Sequence, residues 1–239
     1  MTEEGYLGKY RHEYKYMINS MEEAILKMRV KAMMRTDGHA GSKGSYQVRS
    51  LYFDNLYDDC YYENESGIGE RDKYRIRIYN GDKSHIMLEK KSKRRQMTLK
   101  ETCPLDSSVC YKLMHGQKIE ISSSMTAGQK KLLGEIQRKA LRPVVIVEYL
   151  RFPFTEQNGN VRVTFDESIG SSNDISGFLE KPSTMRPVME KGISVLEVKW
   201  DEFLPDYIKS GMQLDSLQRC SFSKYYLCRK YNTYGGIRI

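Results

Sequence analysis

A chain of 239 residues, 39% of them hydrophobic, can bury a core and is long enough for one large domain or two small ones, which excludes global disorder. Lysine and arginine number 39 against 31 aspartates and glutamates, a net charge of +8, and that balance favours an anionic partner: nucleic acid, a phosphorylated small molecule, polyphosphate or an anionic membrane. The five cysteines, Cys60, Cys103, Cys110, Cys220 and Cys228, are odd in number, scattered and without a CxxC pair, which argues for free thiols in a reducing compartment rather than a disulfide framework or a zinc site.

The opening MTEEGYLGKYRHEYKY has no apolar stretch of the signal-peptide kind. The longest apolar runs, such as Val144 to Val147, are far too short to span a bilayer, so a soluble, cytoplasmic chain is expected. Tyr10 to Met17 alternates and predicts a strand. Asn19 or Ser20 is placed to cap the helix MEEAILKMRVKAMMR, which has Glu22 and Glu23 in its first turn and puts Ile25, Met28 and Ala32 on one face. The Gly/Ser-rich stretch from Asp37 to Ser45 is a loop, and SYQVRSLYFDN is a strand ended by Asp54 and Asn55. DNLYDDCYYENESGIGE predicts a short helix and a turn. In KYRIRIYNGDKSHIMLEKKSK two alternating runs flank Asn80-Gly81-Asp82, which is hairpin chemistry. MTLKETCPL adds a strand stopped near Pro104, and Ser107 to Leu141 holds two helical patterns joined by a Ser-rich loop. RPVVIVEYLRFPFT and NVRVTFDES form a hairpin around Asn158-Gly159-Asn160, and ISVLEVKWDE is a strand after a polar, Pro-containing stretch. Pro205 to Tyr231 reads as two helical pieces broken near Ser221 to Ser223. Without an internal repeat or a linker, the expectation is one α+β domain with a largely antiparallel sheet.

The strands share one feature. Charges recur on alternate residues: Arg11, Glu13 and Lys15; Arg71, Lys73, Arg75 and Arg77; Glu89 and Lys91; Glu197 and Lys199; with Tyr149 and Arg151 in the same phase. A strand has period two, so each set projects from one face. If the strands curl into a barrel, those faces line a polar, mostly cationic tunnel that suits a polyanion and a metal. Arg75, Arg77 and Lys91 make a phosphate clamp in which arginine supplies forked donors and lysine a point charge. The competing reading is a solvated face over buried Tyr74, Ile76 and Ile78. Glu13, Glu89 and Glu197 among these cations suit a divalent ion such as Mg²⁺ or Mn²⁺, or else ordinary ion pairs with neighbouring cations. Phe222-Ser223-Lys224 opens the last helix, where free N–H groups can meet a terminal phosphate or Ser223 can simply cap. No P-loop, GxGxxG or HExxH occurs, the four histidines have no ligand spacing, and no signature supports a nucleic-acid module.

In order along the chain, Tyr14-Lys15-Tyr16, Ser50-Leu51-Tyr52-Phe53-Asp54, Tyr74-Arg75-Ile76-Arg77-Ile78-Tyr79, Leu88-Glu89-Lys90-Lys91, Leu141-Arg142-Pro143-Val144-Val145, Glu148-Tyr149-Leu150-Arg151, Leu196-Glu197-Val198-Lys199 and Phe222-Ser223-Lys224 together resemble the VTC domain, the polyphosphate polymerase domain of the vacuolar transporter chaperone family, within the triphosphate tunnel metalloenzyme superfamily. The resemblance implies an α+β fold, an antiparallel β-barrel tunnel of about eight strands with flanking helices. It implies a single domain over residues 9–231 with a short, frayed C-terminal tail at 232–239. The implied activity is transfer of the γ-phosphate of ATP to a growing inorganic polyphosphate chain with Mn²⁺ or Mg²⁺. Lys15, Arg75, Arg77, Lys91, Arg151 and Lys224 are implied as the catalytic phosphate clamp. Tyr149, Ser223, Lys199, Lys100 and Arg162 are implied as further phosphate binders. Glu197 is the implied metal ligand, with Glu89 and Glu13 as further candidates.

Three positions depart from the family pattern. Arg11 stands where the wider superfamily often has a glutamate. Ser221 replaces a lysine and Asn64 an arginine, for which Arg71, Lys73 or Arg219 are the candidate replacements. The eukaryotic complex's membrane segments and phosphate-sensing module are absent from the sequence, so polyphosphate is expected to be released into the cytoplasm or passed to a membrane export partner. Alternatives that keep the same cations are a tripolyphosphate or nucleotide phosphohydrolase and a non-catalytic polyphosphate-binding module. Generic nucleic-acid binding ranks below these.

Overall fold

The computed structural model describes residues 9–95, 97–182 and 184–233. Its elements in chain order are β1 (Arg11–Asn19), α1 (Ser20–Met33), β2 (Arg35–Thr36), β3 (Tyr46–Asp54), α2 (Asp59–Glu65), β4 (Glu70–Tyr79), β5 (Ile86–Arg94), β6 (Met97–Leu105), α3 (Ser107–Met114), α4 (Ala127–Arg138), β7 (Arg142–Glu156), β8 (Val161–Ser172), β9 (Arg186–Pro187), β10 (Ile193–Trp200), α5 (Asp206–Gly211) and α6 (Lys224–Thr233). Neighbouring strands run β7-β3-β4-β5-β6-β1-β10-β8, and β8 pairs back to β7, which closes an eight-stranded antiparallel barrel. The short β2 and β9 add to β7 and β8. The expected barrel with flanking helices is therefore the observed fold.

Alternation gives each strand two faces, and both are covered. Outside, Leu51, Ile76, Ile78 and Leu88 pack under Leu113 of α3 and Leu132 and Ile136 of α4. On the other side Tyr16, Ile18, Phe165 and Leu196 pack under Leu26 and Val30 of α1 and Ile208 of α5. Inside, Val48, Val147 and Val195 meet Tyr225 and Cys228 of α6, so this helix occupies the apolar part of the interior. Each fully buried aliphatic side chain contributes about 1.5–3 kcal/mol.

Most predicted elements stand where the patterns put them; one alternative is resolved, and three features differ. Asn19, not Ser20, caps α1: its side chain accepts from the N–H groups of Met21 and Glu22, while Glu22 accepts from the Asn19 N–H. The buried face of α1 is Leu26 and Val30, and Ile25, Met28 and Ala32 are exposed. Apolar residues occur around most of this helix, so periodicity could not fix its phase. The tight junction to β1, where Ile18 is buried, does. Near the C-terminus the expected break at Ser221 to Ser223 stands directly before α6 but begins earlier, since Gln213, with a φ of 51°, ends the helical path after α5. α6 runs on through Thr233, two residues beyond the expected domain boundary, and residues 234–239 of the expected tail lie outside the described residues.

Barrel closure is uneven. β1 pairs with β10 over His12 to Asn19 but with β6 only at Arg11–Thr98 and His12–Met97. The segment before α6 fills the resulting wedge: Arg219 bridges to Tyr16, the Cys220 N–H donates to the Lys15 carbonyl at 2.9 Å, and Lys15 Nζ donates to the Phe222 carbonyl at 2.9 Å. That stitching fixes Lys15, Ser223 and Lys224 around one space.

Candidate functional site: a cationic tunnel

The barrel encloses a cavity of about 440 Å³. Of the implied phosphate binders and metal ligands, all but Lys100, Arg162 and Glu89 line it. Lys100 is half exposed and pairs with Glu89 at 3.3 Å. Arg162 donates to Tyr46 Oη at 2.8 Å and pairs with Asp37 at 3.0 Å, away from the cavity wall. Arg11 pairs with Asp201 and likewise stays out of it.

Two carboxylates set the arginines and the helix-borne lysine. Glu89, 1% exposed, accepts from Arg75 Nε and Nη2 at 2.7 and 2.6 Å, with Arg77 Nη1 at 3.6 Å. Arg75 also donates to Tyr52 Oη, and Arg77 to Ser50 Oγ and Tyr149 Oη. Opposite them Asp166, fully buried, takes both forks of Arg151 at 2.7 Å and Lys224 Nζ at 2.6 Å. Sequence reasoning missed Asp166. Its signal was the alternation Arg162, Thr164, Asp166, but its partner Arg151 becomes visible only through the β7–β8 pairing, where the two are register partners.

Glu197 is the hub of a second cluster. Lys199 donates to it at 2.7 Å and Lys224 at 3.0 Å, with Arg151 at 3.6 Å and Lys15 at 3.7 Å. Glu13 accepts from Lys91 at 2.9 and 2.7 Å and pairs with Lys199 at 3.3 Å. Burial pushes all four carboxyls up, and the surrounding cations outweigh it: Lys199, Lys224, Lys15 and Arg151 for Glu197; Lys15, Lys91 and Lys199 for Glu13; Arg75, Arg77 and Lys100 for Glu89; Arg151 and Lys224 for Asp166. All four are therefore ionised near neutrality. Burial pulls Lys91 down to about 7, with Lys15 and Lys199 adding to it against the pull of Glu13.

Among the described residues no group of three or more His, Cys, Asp or Glu side chains is arranged to hold a metal. Glu13 and Glu197 nonetheless suit one. They sit diagonally on the β1–β10 pair, where Glu13 faces Lys199 and Lys15 faces Glu197, and both already turn an oxygen to the single ammonium of Lys199. Two ionised carboxylates, with phosphate oxygens and water completing the shell, are the donor set Mg²⁺ or Mn²⁺ takes. Glu89 is placed differently, with Arg75, Arg77 and Lys100 around it.

One departure from the family pattern has a cation beside it. Lys73 Nζ donates to Asn64 Oδ1 at 2.6 Å and to Ser223 Oγ at 2.7 Å, which brings a lysine from β4 next to Asn64. Ser223 Oγ also accepts from the Tyr226 N–H at 3.3 Å, so it caps α6 and faces the cavity at once. Among the described residues no histidine lines the cavity.

A closed antiparallel barrel whose interior is a cationic tunnel studded with ionised carboxylates defines a narrow class of proteins. The chain belongs to the VTC domain family, whose model matches residues 10–232. Its fold is similar to that of a candidate adenylyl cyclase from Hippeastrum with a dominant triphosphatase activity, at 11% identity and a TM-score of 0.55, covering 93% of this chain and 95% of that one. It is also similar to a candidate adenylate cyclase from Bacillus halodurans, at 12% identity and a TM-score of 0.52, covering 91% and 96%. Both likenesses are of fold. No curated protein matches the chain significantly in sequence. Among the described residues no helix is long and apolar enough to cross a membrane.

Proposed function

We propose that this chain is a metal-dependent polyphosphate polymerase that transfers the γ-phosphoryl group of ATP to the end of an inorganic polyphosphate chain inside the barrel. The observation that carries the reading is the convergence of Lys15, Arg75, Arg77, Lys91, Arg151 and Lys224 on one enclosed space beside two ionised carboxylates. In the reaction a terminal oxygen of the acceptor chain bonds to the γ-phosphorus, the bond from that phosphorus to the β-bridging oxygen breaks, and ADP leaves. Such a transfer needs alignment and charge neutralisation more than a protein nucleophile. Arg75 and Arg77, preset by Glu89, Ser50 and Tyr149, are forks for phosphoryl oxygens. Arg151 and Lys224, preset by Asp166, face them, and Lys15, Lys91, Lys199 and Ser223 complete the clamp. Glu197 and Glu13 would hold Mn²⁺ or Mg²⁺, which neutralises phosphate charge where it builds up in the transition state.

The same clamp would serve a triphosphatase in which water replaces the acceptor, and the activity of the Hippeastrum protein of like fold favours keeping that second reading. We place the reaction in the cytoplasm, with any export left to a separate membrane partner. The test is purified protein with ATP and Mn²⁺, with products resolved on gels and by phosphate assay. Long polymer with matching ADP is the expected result. Orthophosphate alone would favour the hydrolase, and no turnover a binding module. Arg75→Ala and Arg77→Ala should abolish turnover in a folded protein. Glu197→Gln should lose metal-dependent turnover and still bind polyphosphate. Full activity of either arginine variant, or unchanged metal dependence of Glu197→Gln, would sink the assignment.

A further inference from the structure

Ser223 immediately precedes α6 and lines the tunnel cavity. Lys73 Nζ lies 2.7 Å from Ser223 Oγ and 2.6 Å from Asn64 Oδ1, and the Tyr226 N–H donates to the same Ser223 Oγ at 3.3 Å. As an ammonium, Lys73 donates to both oxygens. As a neutral amine, it keeps a proton for Asn64 and turns its lone pair to the Ser223 hydroxyl, which then donates to it. A serine hydroxyl held on an amine that can take its proton is the arrangement of an activated nucleophile.

The groups around Lys73 favour the amine. Burial pushes its pKa well below that of an ordinary lysine, and Arg71 of β4, Lys15 of β1 and Lys91 of β5 push it further, with the Cys60 thiol of α2 opposing them. The ring of Tyr225 from α6 stands 5.3 Å from the amine. Carboxylates do act on the neighbouring cations: Glu13 pairs with Lys91 at 2.7 Å, Glu197 with Lys15 at 3.7 Å, and Glu63 of α2 raises the pKa of Arg71. Among the described residues none lies within ion-pairing distance of Lys73 itself. Its direct polar partners, Asn64 and Ser223, are both neutral.

We propose that Ser223 is itself a phosphoryl acceptor, taking the γ-phosphoryl group of ATP while Lys73 receives its hydroxyl proton, so that the tunnel wall comes to carry a phosphoserine. The bond from Ser223 Oγ to the γ-phosphorus forms, the bond from that phosphorus to the β-bridging oxygen breaks, ADP leaves with the electron pair, and the proton ends on Lys73 Nζ. The products suit the place. The new phosphate lies at the N-terminus of α6, ten residues long, where free N–H groups and the helix dipole favour an anion. It also stands beside the ammonium just formed on Lys73, which gains the counter-charge it lacks. The inference rests on the polymerase reading and deepens it: elongation needs an acceptor chain, and the phosphoserine supplies a first acceptor when no chain is present.

The test is the full chain incubated with Mn²⁺ and ATP bearing an isotope-labelled γ-phosphate, with ADP and free polymer measured in the same sample. Mild acid then trims any attached chain to its ester-bound phosphate, and the digested protein is mapped by mass spectrometry. A labelled phosphoserine at Ser223 is the expected result, formed faster as pH rises, because the free amine is the proton acceptor. Lys73→Arg keeps a cation in place but cannot take the proton, so labelling should slow about a hundredfold or more and lose its rise with pH. Label at Ser221 or any other residue instead of Ser223, or Lys73→Arg labelled at the wild-type rate, would overturn the inference. Polymer and ADP without phosphoserine would overturn it and leave the polymerase reading standing. Neither ADP nor label would remove both.

Discussion

Replacing Glu89 by glutamine separates two roles for this carboxylate. Its side chain is 1% exposed and carries on one oxygen two nitrogens of Arg75, at 2.7 and 2.6 Å, and Arg77 at 3.6 Å, with Lys100 at 3.3 Å from the other oxygen. Glu89→Gln keeps the shape and removes the charge, so two buried guanidiniums lose their counter-ion. Breaking a buried pair in this way costs about 3–5 kcal/mol. For a chain of this size that corresponds to a fall of roughly 10 °C in Tm. The arginines are then free for phosphate, so metal-free tripolyphosphate should bind the variant more tightly than the wild type. Ligand at a hundred times Kd restores about 2.7 kcal/mol. At one fixed ligand concentration, the thermal shift should therefore be larger for Glu89→Gln than for the wild type. The assay is thermal unfolding with and without tripolyphosphate in chelator. A variant as stable as wild type when empty, or one that gains no more from ligand, would refute the view of Glu89 as the holder of Arg75. If the carboxylate served a metal instead, the variant would lose metal-dependent turnover without any gain in metal-free binding.

Two further predictions concern the frame and the charge network. Asp54, fully buried at the end of β3, accepts from the N–H groups of Asn55, Cys60 and Tyr61 and from Tyr225 Oη, so it caps α2 and ties down the helix that carries Lys224. Asp54→Ala should lose about 4 kcal/mol in urea unfolding, against roughly 1.5 kcal/mol for Tyr225→Phe, which removes one bond and leaves the cap; equal losses would remove Asp54 from the capping role. Glu13, Glu89, Asp166 and Glu197 all have folded pKa values below their ordinary ones, so their stabilisation is complete above the usual carboxylate range and is lost as pH falls through the lowered values. The urea midpoint should therefore drop steeply below about pH 4.5, the ordinary value for a glutamate, and Glu89→Gln should flatten part of that drop; a midpoint level down to pH 3 would contradict the network.

The strands and the phase of their charges were legible because period two is rigid. Once Arg75 and Arg77 share a face with Lys91 and Glu89, no register consistent with the hairpin separates them. Whether that face met water or an enclosed space was not legible from local pattern; the expected tunnel came from the resemblance carried by the ordered motifs. The opposite set, Tyr74, Ile76 and Ile78, is apolar in either case, and only closure between β7 and β8 converts a polar face into a tunnel wall. Closure depends on pairings between strands distant in the chain, and local pattern does not contain them. The same holds for Asp166, whose role is defined by a cross-strand arginine. It holds again for α1, where Ile25 and Met28 offered as good a stripe as Leu26 and Val30 until the turn at Asn19 chose between them.

The distribution of charge along the wall argues about function more sharply than its total. If the cations served only the fold, each buried one would need a carboxylate, because an unpaired charge out of water is costly. Arg151 and Lys224 meet that condition through Asp166, and Arg75 through Glu89. Lys73 does not: it is half-buried, its partners among the described residues are the neutral Asn64 and Ser223 and the ring of Tyr225, and burial together with neighbouring cations depresses its pKa. A barrel selected for stability alone would place a neutral side chain there. The paired cations keep the tunnel folded, and under the proposed function the unpaired ones would take their counter-charge from the bound polyanion. They face the tunnel from the same β4–β5 ladder as the clamp, so the register sets both in line along one wall.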